Sequence, residues 1–523
     1  MNMKEIFSLD LYNRMVDELF QRFPSFQTAG SSAYKPGLDN MLAFDKMLGE
    51  PHKTYKVIHV AGTNGKGSVS NMLASSLAAC GYKVGLYTSP HILDFRERMR
   101  CRTKDDVFYI SRQEVWDFIS QWREMFDKLD LSFFEITTSM ALWWFKKVGV
   151  DVVVLETGLG GRLDSTNIVE PILSVITNIG LDHCDILGNT LGAIASEKAG
   201  IIKPEIPVVV GESSEETDDV FVEKVSALNG GFTSLLIFAD QQISMKSPVE
   251  QQLHSSEGQQ VNLIPDDGQG VIRTSQEMIR CGESVLNVED ELKLLESMDL
   301  RGDYQKKNLR TVVEVLSQID TKRLLGDGIS SRISKSDLMA AISETAKRME
   351  FRGRWEEFRT MGGIRAVFDI GHNSHGLKYN FSQLGAMLDR AEVKNLIIVY
   401  GAVSDKDVDE VFPLFPREAH LIFTNSSGRR AIPAATLCDR YVEWRGKTVG
   451  LGSESVECSA EILGFSAASV EFSDDISCVL DKVLSIIDEK SMKKEDTLVY
   501  IGGSTFVVAE VLGRDFDDFF RNI

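Results

Sequence analysis

Val57-Ile-His-Val-Ala-Gly-Thr-Asn-Gly-Lys-Gly-Ser68 decides how this chain is read. An apolar run over 57–61 predicts a strand. It enters a Gly-rich turn, and an Ala/Ser/Leu-rich helix is expected over 68–79, ending at Cys80-Gly81. That context suits a phosphate cradle. Glycines let backbone N–H groups close around an anion, a helix N-terminus adds partial positive charge, and Lys66 adds a full one. The Ser68 hydroxyl stands where it can reach a magnesium ion. The spacing departs from the common P-loop, because Gly62 and Gly65 are closer together and Gly67 separates lysine from serine. A Gly-rich turn without a ligand is the alternative, and the flanking strand and helix favour nucleotide binding.

Working outward, strands and helices alternate. Strands are expected over 83–88, 151–156, 173–178 and 207–211, with helices over 112–129, 134–147 and 191–200. The run Val152-Val-Val-Leu-Glu156 is continuously apolar up to its last residue, as in a parallel strand buried on both faces. This predicts a doubly wound α/β unit with its site at the carboxyl ends of the strands. Gln, Ser, Gly and Asp accumulate over 240–282 without clear periodicity, which reads as weak strands and exposed loops. Helices resume over 303–318 and 335–348, and Glu350-Phe-Arg-Gly-Arg354 reads as a hinge. A second, smaller Rossmann-like set follows, with strands over 364–370, 395–400, 420–424, 469–472 and 497–501 and a last helix over 505–512. Its Gly502-Gly503-Ser504 turn is not read as a second nucleotide site. The expected units are 1–350, with an insertion-rich segment at 240–300, a hinge at 351–354, and 355–523.

The length of 523 residues exceeds one hydrophobic core. A formal net charge of −20 argues against nucleic acid or an anionic membrane as the main partner, so anionic substrates must be held by local cations and metal. Seven cysteines without a Cys-x-x-Cys pair suit a reducing cytoplasm and give no zinc site. The first 23 residues read as an amphipathic helix rather than a signal peptide, and no apolar stretch approaches the ~20 residues of a membrane span. A soluble, cytoplasmic protein is expected.

Several polar residues sit where strands end. Glu156 leaves an apolar strand beside the phosphate loop and suits a magnesium ligand, with a turn or capping carboxylate as the alternative. His183, in Asp182-His-Cys-Asp185, is either a satisfied polar residue or a ligand facing the same crevice. Ser89 precedes a proline and says little alone. Lys198, on a helix of small and apolar residues, reads by itself as a solvated lysine. Asp369 with His372-Asn373 is an acid, base and amide set or an Asp/Asn turn.

In order, these segments resemble the folylpolyglutamate synthase/dihydrofolate synthase family of the Mur ligase superfamily. The resemblance rests on Gly62 to Ser68, Thr88-Ser-Pro-His91, Glu156 with Gly158-Leu-Gly-Gly-Arg-Leu-Asp164, and Asp182-His183 before Leu187-Gly188. It continues through Glu197-Lys-Ala-Gly200, Gln305 with Asn308, Gly353-Arg354, and Asp369 with His372-Asn373. It is weakest over 240–300 and 443–468. It implies an N-terminal ATP-binding domain of the Mur ligase type and a C-terminal glutamate ligase domain. Together they would couple ATP hydrolysis to amide formation between a pterin-bearing carboxylate and L-glutamate, through an acyl phosphate.

By this resemblance Thr63, Asn64, Gly65, Lys66, Gly67 and Ser68 hold the ATP phosphates, while Asn308, Arg354 and Asp369 also contact ATP. Ser68, Ser89 and Glu156 serve one magnesium and His183 a second. Lys198 matches a lysine carbamylated in the family, which turns a cation into an anionic ligand. Lys66, Lys198 and His372 are the catalytic candidates. Tyr34, Lys35, Pro36, Ser132, Phe133, Phe134, Glu135, Leu163, Asp164 and Ser165 fall where the pteroate binds. The implied substrates are L-glutamate, dihydropteroate and reduced folates, and the family suggests a monomer. The bifunctional form is favoured over a synthase that only extends folate tails.

Another Mur-type ligase would carry a UDP-binding domain ahead of the phosphate loop, and 61 residues are too few for one. A nucleotide-binding regulator would have little need of Lys66, Ser68, Glu156, His183, Lys198 and Asp369 together.

Overall fold

The computed structural model describes residues 7–23, 35, 37–241, 285–449 and 469–513. Two sheets organise them. The first contains β1 (Lys56–Ala61), β2 (Val84–Tyr87), β3 (Met99–Arg102), β4 (Val107–Tyr109), β5 (Val152–Glu156), β6 (Leu173–Ile176), β7 (Val208–Val210) and β8 (Leu236–Phe238). Their order is β4-β3-β2-β5-β1-β6-β7-β8, parallel except for the antiparallel β3 and β4 on one edge. Strand β1 therefore lies at the centre, and the loops leaving β1, β5 and β6 open on one crevice.

The chain alternates its faces as a central strand must. Ile58 and Val60 enter the core shared with α1 (Lys66–Ala79) and the helix Gln305–Thr321, and Val57 enters the core on the other face. Helix α1 is buried from Gly67 to Ala78 because its Gly, Ser and Ala residues let it sit between the sheet and other helices. On the opposite face packs α2 (Phe133–Val148), whose first turn carries Phe133 and Phe134.

The second sheet contains β9 (Glu356–Arg359), β10 (Arg365–Asp369), β11 (Asn395–Tyr400), β12 (His420–Thr424), β13 (Val470–Ser473) and β14 (Thr497–Gly502), in order β13-β12-β11-β14-β10-β9. Only β9 is antiparallel. The expected doubly wound α/β architecture with a smaller Rossmann-like unit is thus present.

Three local expectations are corrected. Strands β3, β4, β8 and β9 were not expected. In β3, Arg100 and Arg102 alternate with Met99 and Cys101 over only four residues, too short a run to mark a strand, and all four are buried. Helix α1 begins at Lys66 rather than Ser68, because Gly65 caps it in a left-handed conformation. The helix expected over 335–348 is two, Lys335–Ser343 and Thr345–Met349. The Asp299 carboxylate accepts from the N–H groups of Ala346 and Lys347, both at 2.9 Å, and so starts the second one afresh. Most of the segment 240–282, and residues 450–468, lie outside the described residues. Among the described residues no helix is long and apolar enough to cross a membrane.

Candidate active site

The Gly-rich loop leaves β1 through two positions that exclude other residues. Gly62 has φ +149°, and a Cβ there would stand 1.8 Å from Thr177 Oγ1. Gly65 has φ +82°, and a Cβ there would stand 2.2 Å from Asn308 Oδ1. The loop thus turns tightly and brings the unpaired N–H groups of the first turn of α1 to the crevice. Lys66 Nζ donates to the carbonyls of Gly62 (2.9 Å) and Thr63 (3.2 Å), so its ammonium rests on the rim of that loop. The Ser68 hydroxyl accepts from Gln305 Nε2 at 3.2 Å, and Gln305 Oε1 accepts from Asn308 Nδ2 at 2.8 Å. A Cβ on Gly67 would lie 3.5 Å from Arg354 Nη2, which puts that guanidinium over the start of α1.

Carboxylates and cations meet next to this loop. Glu156, at the end of β5, is 3% exposed, and its Oε2 accepts from the backbone N–H of Ser89 at 3.1 Å. Burial raises its pKa, opposed chiefly by the charge of Lys66. Lys198 overturns its reading as a solvated lysine. It is 4% exposed, and its Nζ donates to the same Gly62 carbonyl at 2.9 Å. Burial, and then the charge of Lys66, push its pKa down to about 7. A large fraction of neutral amine is therefore available at Lys198 near neutrality. His183 takes a left-handed conformation, with Nε2 3.8 Å from Asp182 Oδ2, and burial lowers its pKa to about 3.

From the second sheet, Asp369 ends β10 with both oxygens engaged. Oδ2 accepts from Tyr304 OH (2.7 Å) and the Trp355 N–H (2.8 Å), while Oδ1 accepts from the Gly371 N–H (2.7 Å) and Asn380 Nδ2 (2.8 Å). The Gly371 contact closes an Asp turn, and the other three engage the same carboxylate from Tyr304, Trp355 and Asn380. His372 Nδ1 lies 3.1 Å from the Ile370 carbonyl, and its Nε2 lies 3.7 Å from Asp182 Oδ2. Asn373 Nδ2 donates to Asp182 Oδ2 and to Asn64 Oδ1, both at 3.0 Å, and joins the Gly-rich loop to the second sheet.

All of this surrounds one cavity of about 340 Å³. Its wall includes Lys35, Thr63, Asn64, Gly65, Lys66, Gly67, Ser68, Ser89, Ser132, Phe133, Phe134, Glu156, Leu163, Asp164, Ser165, His183, Lys198, Asn308, Arg354, Asp369 and His372. Glu135 is the correction. It is buried, outside that wall, and its carboxylate accepts from the Ser132 N–H at 2.7 Å, closing a capping box at the start of α2. Tyr34 and Pro36 lie outside the described residues.

Sequence reading missed Tyr304, Lys307, Lys406 and Arg430, which also line the cavity. Asp405-Lys406 follows the apolar strand β11 closely, the same signal that marked Glu156. Lys406 pairs with Asp182, and Arg430 with Asp405.

Among the described residues no three His, Cys, Asp or Glu side chains converge as ready metal ligands. The set at hand is one buried carboxylate, two serines and a histidine. Those oxygens fit a hard divalent cation that takes its remaining ligands from phosphate and water.

The Mur ligase middle domain matches residues 60–217. A dihydrofolate synthase/folylpolyglutamate synthase of Bacillus subtilis is 44% identical over 208 residues, 38% of this chain and 47% of that one. The Haemophilus influenzae protein of the same name is 30% identical over 384 residues, 73% of this chain and 77% of that one. A Yersinia pestis bifunctional folylpolyglutamate synthase/dihydrofolate synthase, solved with AMPPNP and a Mn ion, is 23% identical with a TM-score of 0.64, covering 96% of this chain and 97% of that one. The chain spans about half the length of the first curated relatives it matches, 48% and 47% of two of them. By its motifs, its two sheets and these matches, the chain belongs to the folylpolyglutamate synthase/dihydrofolate synthase family of the Mur ligase superfamily.

Proposed function

We propose that this chain is an ATP-dependent ligase that joins L-glutamate to dihydropteroate and to reduced folates, the bifunctional activity of its family. The observation that carries the proposal is the shared cavity of about 340 Å³. It brings the Gly-rich loop and Lys66 together with the buried Glu156 and Lys198 and with the aromatic wall of Phe133 and Phe134. A phosphate site, a charge-compensated centre and a surface for a flat acceptor are what such a reaction needs in one place.

The acceptor carboxylate attacks the γ-phosphorus of ATP, ADP leaves, and an acyl phosphate results. Lys66, moving from its carbonyl partners onto the phosphates, and Arg354 from the hinge side offset charge on the transferring group. Ser68, Ser89 and Glu156 would hold one magnesium, and His183 with a carbamylated Lys198 a second; bound there, magnesium neutralises phosphate charge. Glutamate's amine then attacks the acyl carbon and phosphate departs with the carboxylate oxygen. The ammonium must first lose a proton. His372, whose Nε2 lies 3.7 Å from Asp182 Oδ2 in the cavity wall, is the base assigned to take it. Water has to be kept from the acyl phosphate, so residues 351–354 act as the hinge on which 355–523 closes over 1–350.

The test follows phosphate release with ATP, Mg²⁺ and L-glutamate, supplying dihydropteroate or tetrahydrofolate in parallel, with mass spectrometry for one added glutamyl unit. Turnover with both supports the bifunctional enzyme. Turnover with tetrahydrofolate alone makes it a tail-extending synthase, and silence with both refutes the proposal.

A further inference from the structure

We infer that His59, in the middle of β1, is a positioning residue for the acceptor-binding loop 157–165 and acts on it through Thr166 and Asp164. The inference rests on the proposed function above, because Leu163, Asp164 and Ser165 of that loop line the same cavity as Phe133 and Phe134.

His59 is 0% exposed in a strand whose other inward residues are apolar, and nothing in the Gly-rich loop motif calls for an imidazole there. Its Nε2 lies 2.8 Å from Thr166 Oγ1. The Thr166 hydroxyl in turn donates to Asp164 Oδ1, which also accepts from the Thr166 N–H at 3.0 Å. The other oxygen, Asp164 Oδ2, accepts from the N–H groups of Gly158 (2.9 Å) and Leu159 (2.8 Å). A carboxylate can only accept, so the threonine proton is committed to Asp164. The threonine oxygen must then accept, and His59 must supply Nε2–H. Nδ1 is left bare, and it has no hydrogen-bond partner. A bare buried nitrogen costs free energy that an apolar residue would avoid. The position therefore makes sense through the donor it supplies.

That donor fixes how the loop is folded. Asp164 gathers the loop's first residues and its last ones onto one carboxylate. The loop is wedged on both sides: a Cβ on Gly158 would meet the Phe134 ring at 2.4 Å, and one on Gly161 the carbonyls of Glu197 and Lys198 at 2.9 Å. A turned Asp164 would disturb the wall that includes Phe134 and Leu163, while the phosphate loop leaves β1 beyond Ala61.

The experiment is steady-state kinetics on the full chain with whichever acceptor the wild type turns over. Loss of one buried donor in His59→Leu, or of the relay hydroxyl in Thr166→Val, should raise the acceptor KM about tenfold and leave the ATP KM within about twofold. His59→Gln and Thr166→Ser, which keep a donor, should hold the acceptor KM near wild type. The double variant His59→Leu with Thr166→Val should be no worse than either single one. Equal rises in both KM values, or an unchanged acceptor KM in Thr166→Val, would overturn the inference. A wild type silent with every acceptor refutes the proposed function instead, and the relay is then read by nitrogen-15 NMR of the His59 ring. The Nε2–H tautomer supports the relay, and Nδ1–H overturns it.

Discussion

Gly65 tolerates no side chain, because its φ of +82° and the Asn308 side chain 2.2 Å from a would-be Cβ both exclude one. Gly65→Ala should weaken ATP binding by about tenfold or more through the strained turn, measured by titration calorimetry, while the fold persists. Lys66→Ala should lower kcat by about 10²–10³ if its ammonium offsets charge on the transferring phosphoryl group. His59 makes a pH prediction. Burial lowers its pKa from 6.5 to about 3, so the folded chain keeps it neutral while the unfolded chain takes up a proton below about 6.5. The unfolded state then binds more protons, and stability falls as pH drops from about 6.5 towards 3. His59→Gln should flatten that part of the stability curve in denaturant melts. At this scale, Lys66 and Glu156 were legible because the strand–loop–helix context fixes what a residue there faces. Lys198 was not, because its partner, the Gly62 carbonyl of the Gly-rich loop, is 136 residues away.

Among elements, α2 couples stability to the candidate site. Ser132 and Glu135 close its capping box, and Phe133 and Phe134 in that first turn line the cavity or its support. Ser132→Ala should cost about 1 kcal/mol of stability in urea melts and raise the acceptor KM, with the ATP KM unchanged. The central strands and most helices followed from apolar runs and periodicity. Strand β3, paired between β4 and β2, did not, since buried Arg100 donates to the Met349 carbonyl and to Thr88 Oγ1, and those partners make an arginine tolerable inside a sheet. The break at Ser343 was hidden for a similar reason, because its cause is Asp299, far away in sequence.

For the whole molecule, the two sheets are joined by polar contacts as well as by apolar ones such as Ile92 against the second core. Tyr304, just before the helix Gln305–Thr321, donates to Asp369 at the end of β10, and Asn64 pairs with Asn373. Those pairs span up to 309 residues of sequence, so motif reading could name Asp369 and Asn373 but not what they hold. With a net charge of −20, anionic substrates are left to the cations of one cavity. The proposed reaction forms an acyl phosphate there and hands it to glutamate. The most direct measurement supplies the acceptor with its carboxylate labelled with oxygen-18 and examines the phosphate released during turnover with ATP and L-glutamate. One labelled oxygen in each phosphate is the predicted result; unlabelled phosphate alongside glutamylated product would rule the acyl phosphate out.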